Sequence, residues 1–169
     1  MTAKKGMAAT SHPLATDAAV EILKAGGNAL DAAICAASMQ NVVEPQSTGI
    51  GGDCFVIYAP DGGTNYGAYN GSGRTPKAAT AKWYSDHGIR EISQNSPHAV
   101  TIPGAVDAWC QLSKDHGKMP LNEVLALAIS MAKSGYKIYP RVVADFESAK
   151  AVITSCDNAK DVFWRDGNI

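Results

Sequence analysis

Val42-Val43-Glu44-Pro45-Gln46-Ser47-Thr48-Gly49-Ile50-Gly51-Gly52-Asp53-Cys54-Phe55-Val56-Ile57-Tyr58 is the stretch on which the fold turns. An Ala-rich helical pattern runs into it. The Glu44-Pro45 step stops that helix, because proline disfavours the helical region for the residue before it. Gly49, Gly51 and Gly52 then allow positive φ and close backbone approach. Cys54 to Tyr58 is apolar without alternation and reads as a strand buried on both faces. A glycine-rich bend feeding such a strand is expected to hold its backbone close to a ligand or to the next helix.

Upstream, Met7 to Thr10 is a short extended candidate. Ser11 or His12 caps a first helix with Pro13 in its first turn, where a missing N–H costs nothing. Ala15, Ala19, Ile22 and Leu23 give that helix one apolar face, and Gly26-Gly27 ends it. Asn28 opens a second helix, with Asp31 three residues on as a variant capping box. Ala29, Ala32, Ala33, Ala36 and Ala37 place small residues on several of its faces, which suits close packing on more than one side. The two helices form a hairpin.

Downstream, Cys54–Tyr58 and Asn65–Tyr69 flank Pro60-Asp61-Gly62-Gly63 and read as a β-hairpin. Asn70-Gly71-Ser72-Gly73-Arg74-Thr75-Pro76 leaves the second strand as a polar loop. Lys77 to Asp86 reads as a short helix and Ala99 to Ile102 as a third short strand. Pro103 opens a helix through Ala105, Val106, Trp109 and Leu112, ended by Gly117. After Pro120, apolar residues at Leu121, Val124, Leu125, Ala128, Ile129 and Ala132 follow the helical period up to Gly135. Pro140 starts another helix, with Val142, Phe146, Ala149 and Ile153 on one face. The last residues, Asp161 to Ile169, carry Phe163 and Trp164 and stop after Asp166-Gly167-Asn168. Two strands and a short third do not make a stable sheet. Either the domain is mainly helical or further strands lie in sequence outside this chain.

With 169 residues and 46% hydrophobic content, the chain fits one domain or a piece of a larger one. A formal net charge of −1 and scattered Lys and Arg give no electrostatic case for nucleic acid. No apolar run is long enough to span a bilayer. Met1-Thr2-Ala3-Lys4-Lys5-Gly6 begins like a signal sequence, but no apolar segment follows, which favours a cytoplasmic location. Cys35, Cys54, Cys110 and Cys156 form no Cys-x-x-Cys pair and read as buried reduced thiols.

His12, His87, His98 and His116 are isolated, so no metal site is expected. Gly49-Ile50-Gly51-Gly52 follows a helix and precedes a strand, the wrong order for a phosphate loop, and no cofactor is expected. There is no Gly-x-Ser-x-Gly elbow. Thr48 and Thr101 lie beside turns with nothing local to activate either, so no catalytic residue is assigned. Arg74 is the informative charge. Thr75-Pro76 locks it on its loop, and its planar fork suits a carboxylate. It reads either as a substrate-carboxylate ligand or as a surface arginine paired with a nearby acid.

Taken in order, Gly6-Met7-Ala8-Ala9, His12-Pro13-Leu14-Ala15-Thr16, Gly26-Gly27-Asn28-Ala29-Leu30-Asp31-Ala32-Ala33, Val43-Glu44-Pro45 and Thr48-Gly49-Ile50-Gly51-Gly52 resemble the large subunit of the γ-glutamyltranspeptidase family. Pro103-Gly104-Ala105-Val106-Asp107-Ala108-Trp109 and Ser134-Gly135-Tyr136 extend the resemblance over nearly the whole chain. It implies an α+β fold, the αββα sandwich of N-terminal-nucleophile hydrolases, to which this chain would supply mainly helices and a β-hairpin. It also implies a precursor that cleaves itself into two subunits and acts on γ-glutamyl or related acyl-amide substrates. The nucleophilic Thr and the oxyanion glycines would lie in the small subunit, so residues 1–169 are expected to be the N-terminal portion of the large one.

The sequence departs from the transpeptidase pattern at one place. The family's carboxylate-gripping Arg lies in an Asp-x-Arg-Glu-x-x-Pro-like loop. Aligned on Pro76, Arg74 is two positions late and Ser72 takes the expected slot. This weakens glutathione as the substrate and favours an amidohydrolase of other specificity, such as a glutaryl or cephalosporin acylase. A non-catalytic helical interaction module is the alternative of a different class.

Overall fold

The computed structural model describes residues 6–60, 62–164 and 167. Met1 to Lys5, Asp61, and Asp166 and Asn168, all named in the sequence reading, lie outside the described residues. The chain divides into two compact units, residues 1–134 and 135–169.

The first unit is built around one helix. α1 spans Pro13–Lys24, and His12 is its N-cap, with Nδ1 accepting the Leu14 N–H. Ala15, Ala18, Ala19 and Ile22 are its buried face. Gly26, at φ 98°, turns the chain out of it. α2 spans Ala29–Val43 and buries Leu30, Ala32, Ile34, Cys35, Ala36 and Met39 on several sides. Its alanines admit α1, α4, α5 and α6 as neighbours, as the small-residue pattern anticipated. Burial pushes the Cys35 thiol up to about 11.

Two carboxylates are buried at the ends of α2. Asp31, at 0% exposure, accepts the Asn28 N–H at 2.9 Å and the Lys118 N–H at 3.1 Å. Asn28 returns the bond by accepting the Leu30 and Asp31 N–H groups, completing the capping box. Glu44 closes the helix and accepts from the Ser11 hydroxyl and the Gln40 amide.

β1 (Cys54–Tyr58) and β2 (Gly67–Gly71) form an antiparallel ribbon in which Val56 faces Tyr69 and Tyr58 faces Gly67. The second strand starts later than the Asn65–Tyr69 expectation. Tyr58 lays its ring where a Cβ on Gly67 would stand, so a glycine has to be the partner there. Within this chain β1 is covered on one face only, and cover of the other by strands outside the chain is what its unbroken apolar run calls for. Cys54, Val56 and Tyr58 are half-buried, but Phe55 is 68% and Ile57 81% exposed, because nothing in this unit covers the outer face.

α3 is shorter than expected, Ala81–Asp86, and starts where Thr80 caps the Trp83 N–H. Pro97–Ala99 is a 3-10 turn, and Val100 to Ile102 forms no strand ladder. α4 spans Ala105–His116, and its N-cap Gly104 offers no side chain. The helix period after Pro120 is interrupted at Leu125, giving α5 (Leu121–Val124) and α6 (Ala126–Ser134), of which Val124 and Ala128 are buried.

The second unit holds α7 (Pro140–Ser148), α8 (Lys150–Ile153) and α9 (Asp157–Phe163). The single helix expected after Pro140 breaks at Ala149. Val142 and Phe146 are buried as expected, with the Phe146 ring 5.4 Å from that of Phe163. All four cysteines are free, but Cys110 and Cys156 are exposed, which corrects the expectation of burial throughout. Among the described residues no helix is long and apolar enough to cross a membrane.

Asp31 is the test of this architecture. Asp31→Ala strands buried backbone donors at Asn28 and Lys118, a cost of about 2–4 kcal/mol. We expect a clearly lowered thermal midpoint, with Asp31→Asn, which keeps one acceptor oxygen, losing less.

Candidate functional site

Three loops converge beside β1: residues 49–53, 71–74 and 101–105. The glycine bend ends in a turn closed by the Gly52 N–H on the Gly49 carbonyl. The Gly52 carbonyl then accepts the Gly104 and Ala105 N–H groups at 3.1 and 3.0 Å. This answers the need that Gly104 cannot meet with a side chain, since the first N–H groups of a helix have no partner within it. The bend therefore serves the next helix, one of the two roles read from its sequence.

The crossing of 71–74 over 102–104 is made backbone to backbone. A Cβ on Gly73 would coincide with the Ile102 carbonyl, and one on Gly104 would run into the Gly71 carbonyl. The Ile102 N–H donates to the Arg74 carbonyl at 3.1 Å. Asp53 Oδ1 accepts the Gly73 N–H at 3.1 Å and the Thr101 hydroxyl at 3.2 Å. Asn70 Oδ1 accepts the Ser72 N–H, which tightens the turn out of β2.

Arg74 leaves this crossing with its side chain exposed. Among the described residues its guanidinium has no ion pair, so the surface-pair reading finds no partner here. A cleft of about 250 Å³ is lined by Asp53 together with Asn41, Ser47, Thr48, Cys54 and Trp109. Burial raises the Cys54 thiol and its contact with Trp109 opposes that rise. A second hollow of about 230 Å³ follows Pro76 and is walled by Trp83, Tyr84, His98 and Val100. There His87 stacks on Trp83 with centroids 4.1 Å apart.

The candidate nucleophiles gain little. Thr48 donates its hydroxyl to the Glu44 carbonyl, which cannot act as a base. Thr101 does meet a carboxylate, Asp53, from 48 positions away, a contact no local pattern revealed. The same carboxylate oxygen also takes the Gly73 N–H, which makes the contact a tie between loops. Two of the histidines, His87 and His98, meet at Trp83, with ring centroids 4.1 and 5.6 Å from it, and the other two lie elsewhere. His12 is a buried cap, His87 sits on Trp83, and His116 bonds Tyr58 at 2.6 Å. Among the described residues no three metal-ligating side chains cluster. The sequence singles out Arg74 and gives no hint of the Asp53 contacts beside it, beyond an acid placed directly after the glycines.

The sequence matches the family described as gamma-glutamyltranspeptidase over residues 15–169. It is 33% identical to the glutathione hydrolase-like YwrD proenzyme of Bacillus subtilis (strain 168), over 96% of this chain and 31% of that protein. The structure is similar to that of Helicobacter pylori gamma-glutamyltranspeptidase, with a TM-score of 0.88 and 28% identity over 99% of this chain and 48% of that one. It is also similar to cephalosporin acylase from Bacillus halodurans, with a TM-score of 0.85 and 38% identity over 94% of this chain and 31% of that one. The chain thus spans about a third of the curated relative it matches.

The crossing predicts a sharp contrast between glycines. Gly73→Ala forces two backbones apart and is expected to cost at least about 3 kcal/mol. Gly51→Ala, which meets open space, is expected to cost under about 1 kcal/mol. Denaturant midpoints of the two variants measure the difference.

Proposed function

The chain belongs to the γ-glutamyltranspeptidase family, with its N-terminal-nucleophile hydrolase fold, and on that premise we propose that it is the N-terminal portion of the large subunit of an amidohydrolase or acyltransferase. The enzyme acts on a small acyl amide whose acyl chain carries a carboxylate, of the γ-glutamyl type. Its nucleophile is a Thr that begins a second segment, exposed when the precursor cleaves itself. That Thr attacks the amide carbonyl while its own α-amine takes the hydroxyl proton and passes it to the departing amine. The resulting ester is resolved by water or by an acceptor amine. This chain contributes the scaffold and a carboxylate anchor.

The observation that carries the reading is Arg74. A guanidinium held on a clamped backbone, exposed and without an acid partner among the described residues, suits bidentate capture of a carboxylate. A second reading, a glutaryl-type or cephalosporin acylase, draws support from the position of Arg74 two residues beyond the transpeptidase slot. The higher identity to the Bacillus halodurans acylase, 38% against 28%, points the same way. The non-catalytic module has no observation in its favour once the family is known.

In the full-length enzyme, Arg74→Met should raise KM for a carboxylate-bearing donor by about 10- to 100-fold, the loss of a contact of about 1.5–3 kcal/mol. A γ-glutamyl anilide and a glutaryl anilide assayed side by side distinguish the two readings. Residues 1–169 assayed without the Thr-led segment should give no turnover above the uncatalysed rate, because acyl transfer needs a nucleophile with a base in reach and donors at the oxyanion, and this reading puts both in the other segment. Turnover by this chain alone, lost on changing one of its own Thr or Ser residues, would overturn the assignment.

A further inference from the structure

Asp53 stands at the meeting of all three loops, and the transpeptidase reading gives it no role. Its Oδ1 takes two hydrogen bonds, from the Gly73 N–H at 3.1 Å and from the Thr101 hydroxyl at 3.2 Å. The residue after Gly73 is Arg74, whose own carbonyl is held by the Ile102 N–H at 3.1 Å. Arg74 is therefore fixed on both flanks. One tie is a backbone bond, and the other is a carboxylate that also grips the segment carrying Ile102.

The geometry points to Asp53 as a positioning residue for Arg74, setting where the guanidinium stands and so how tightly the enzyme holds a carboxylate-bearing acyl donor. This rests on the reading of Arg74 as the carboxylate anchor. An exposed arginine loses side-chain entropy on binding, and a mobile backbone beneath it would add to that loss. A carboxylate accepting an amide N–H makes a charge-assisted bond, stronger than a neutral acceptor would make. The charge has a cost, since Asp53 faces the same solution as an incoming anion and repels it. An acid at this position is consistent with positioning outweighing repulsion. What Gly73 and Thr101 require is an acceptor oxygen, and an amide oxygen supplies one.

The test uses the full-length, self-processed enzyme and two donors, an anilide whose acyl chain ends in a carboxylate and its analogue ending in a primary amide. Asp53→Ala is expected to raise KM for the carboxylate donor by about tenfold, with the loss on KM rather than kcat, and to leave discrimination of the neutral donor nearly unmoved. Asp53→Asn, which retains the acceptor, should recover most of the affinity. Placed on Arg74→Met, Asp53→Ala should add almost nothing, since two residues acting through one contact are not additive. If Asp53→Ala gives no folded enzyme, Thr101→Val against Thr101→Ser reads the same tie, with only the valine variant weakening the carboxylate donor.

Equal losses for both donors, additive losses in the double variant, or tighter carboxylate binding by Asp53→Ala would each overturn the role of Asp53. An Arg74→Met enzyme with unchanged KM would instead remove the anchor itself. The two failures are therefore distinguishable.

Discussion

No side chain fits where residues 71–74 cross 102–104, and the rest of the first unit is arranged around that exclusion. The carbonyls of Ile102 and Gly71 occupy the places where Cβ atoms of Gly73 and Gly104 would be. Gly71 is hemmed in on its other side, by Ala108 of α4 and by the Cys54 carbonyl. The ribbon is thereby pressed onto α4, and α4 onto α2. Glycine weakens a strand or loop by its backbone entropy. Here that cost is offset by contact between main chains that any other residue would hold apart.

α2 carries the opposite kind of constraint. Its two ends are acidic and buried, and the two acids differ in electrostatic setting. Asp31 lies at the N-terminus, where the helix field favours negative charge, and it is met by backbone N–H groups. Glu44 lies at the C-terminus, where the field opposes it, and it takes the Ser11 hydroxyl and the Gln40 amide as donors. Ser11 belongs to the entry of α1, so the acid at the end of the second helix fastens the start of the first. Few polar groups hold this helical hairpin, but the two carboxylates among them are fully desolvated.

What could be read from the sequence was local. Caps at His12 and Asn28, the helix stop at Glu44, the strand Cys54–Tyr58 and the helix after Pro103 are each fixed by a few neighbouring residues, and the structure has them. The start of β2 depended on the Tyr58 ring across the ribbon, a fact of register rather than of composition. The break at Leu125 falls inside an unbroken apolar period, where no glycine or proline announces it. Apolarity of β1 could not say which face this chain covers; Val56 turns in and Phe55 and Ile57 turn out. Around the crossing, the exposed loop position of Arg74 was legible because Gly-Ser-Gly and Thr-Pro frame it. Asp53 was not, because both of its partners arrive from distant positions, Gly73 and Thr101.

The Gly52 carbonyl caps α4 from within the chain, taking N–H groups that in many proteins cradle an anion. Main-chain anion sites are written in conformation, and no single codon can change their sign. Here the charges beside the cap are carried by side chains, an acid at 53 and a base at 74. The acid is tied into the crossing through Gly73 and Thr101, while the base stands clear of it, so the side chain at 74 can be exchanged with the main-chain contacts left in place. A change of charge at 74 therefore alters what the loop meets in solution without altering the contact that holds the loop in place.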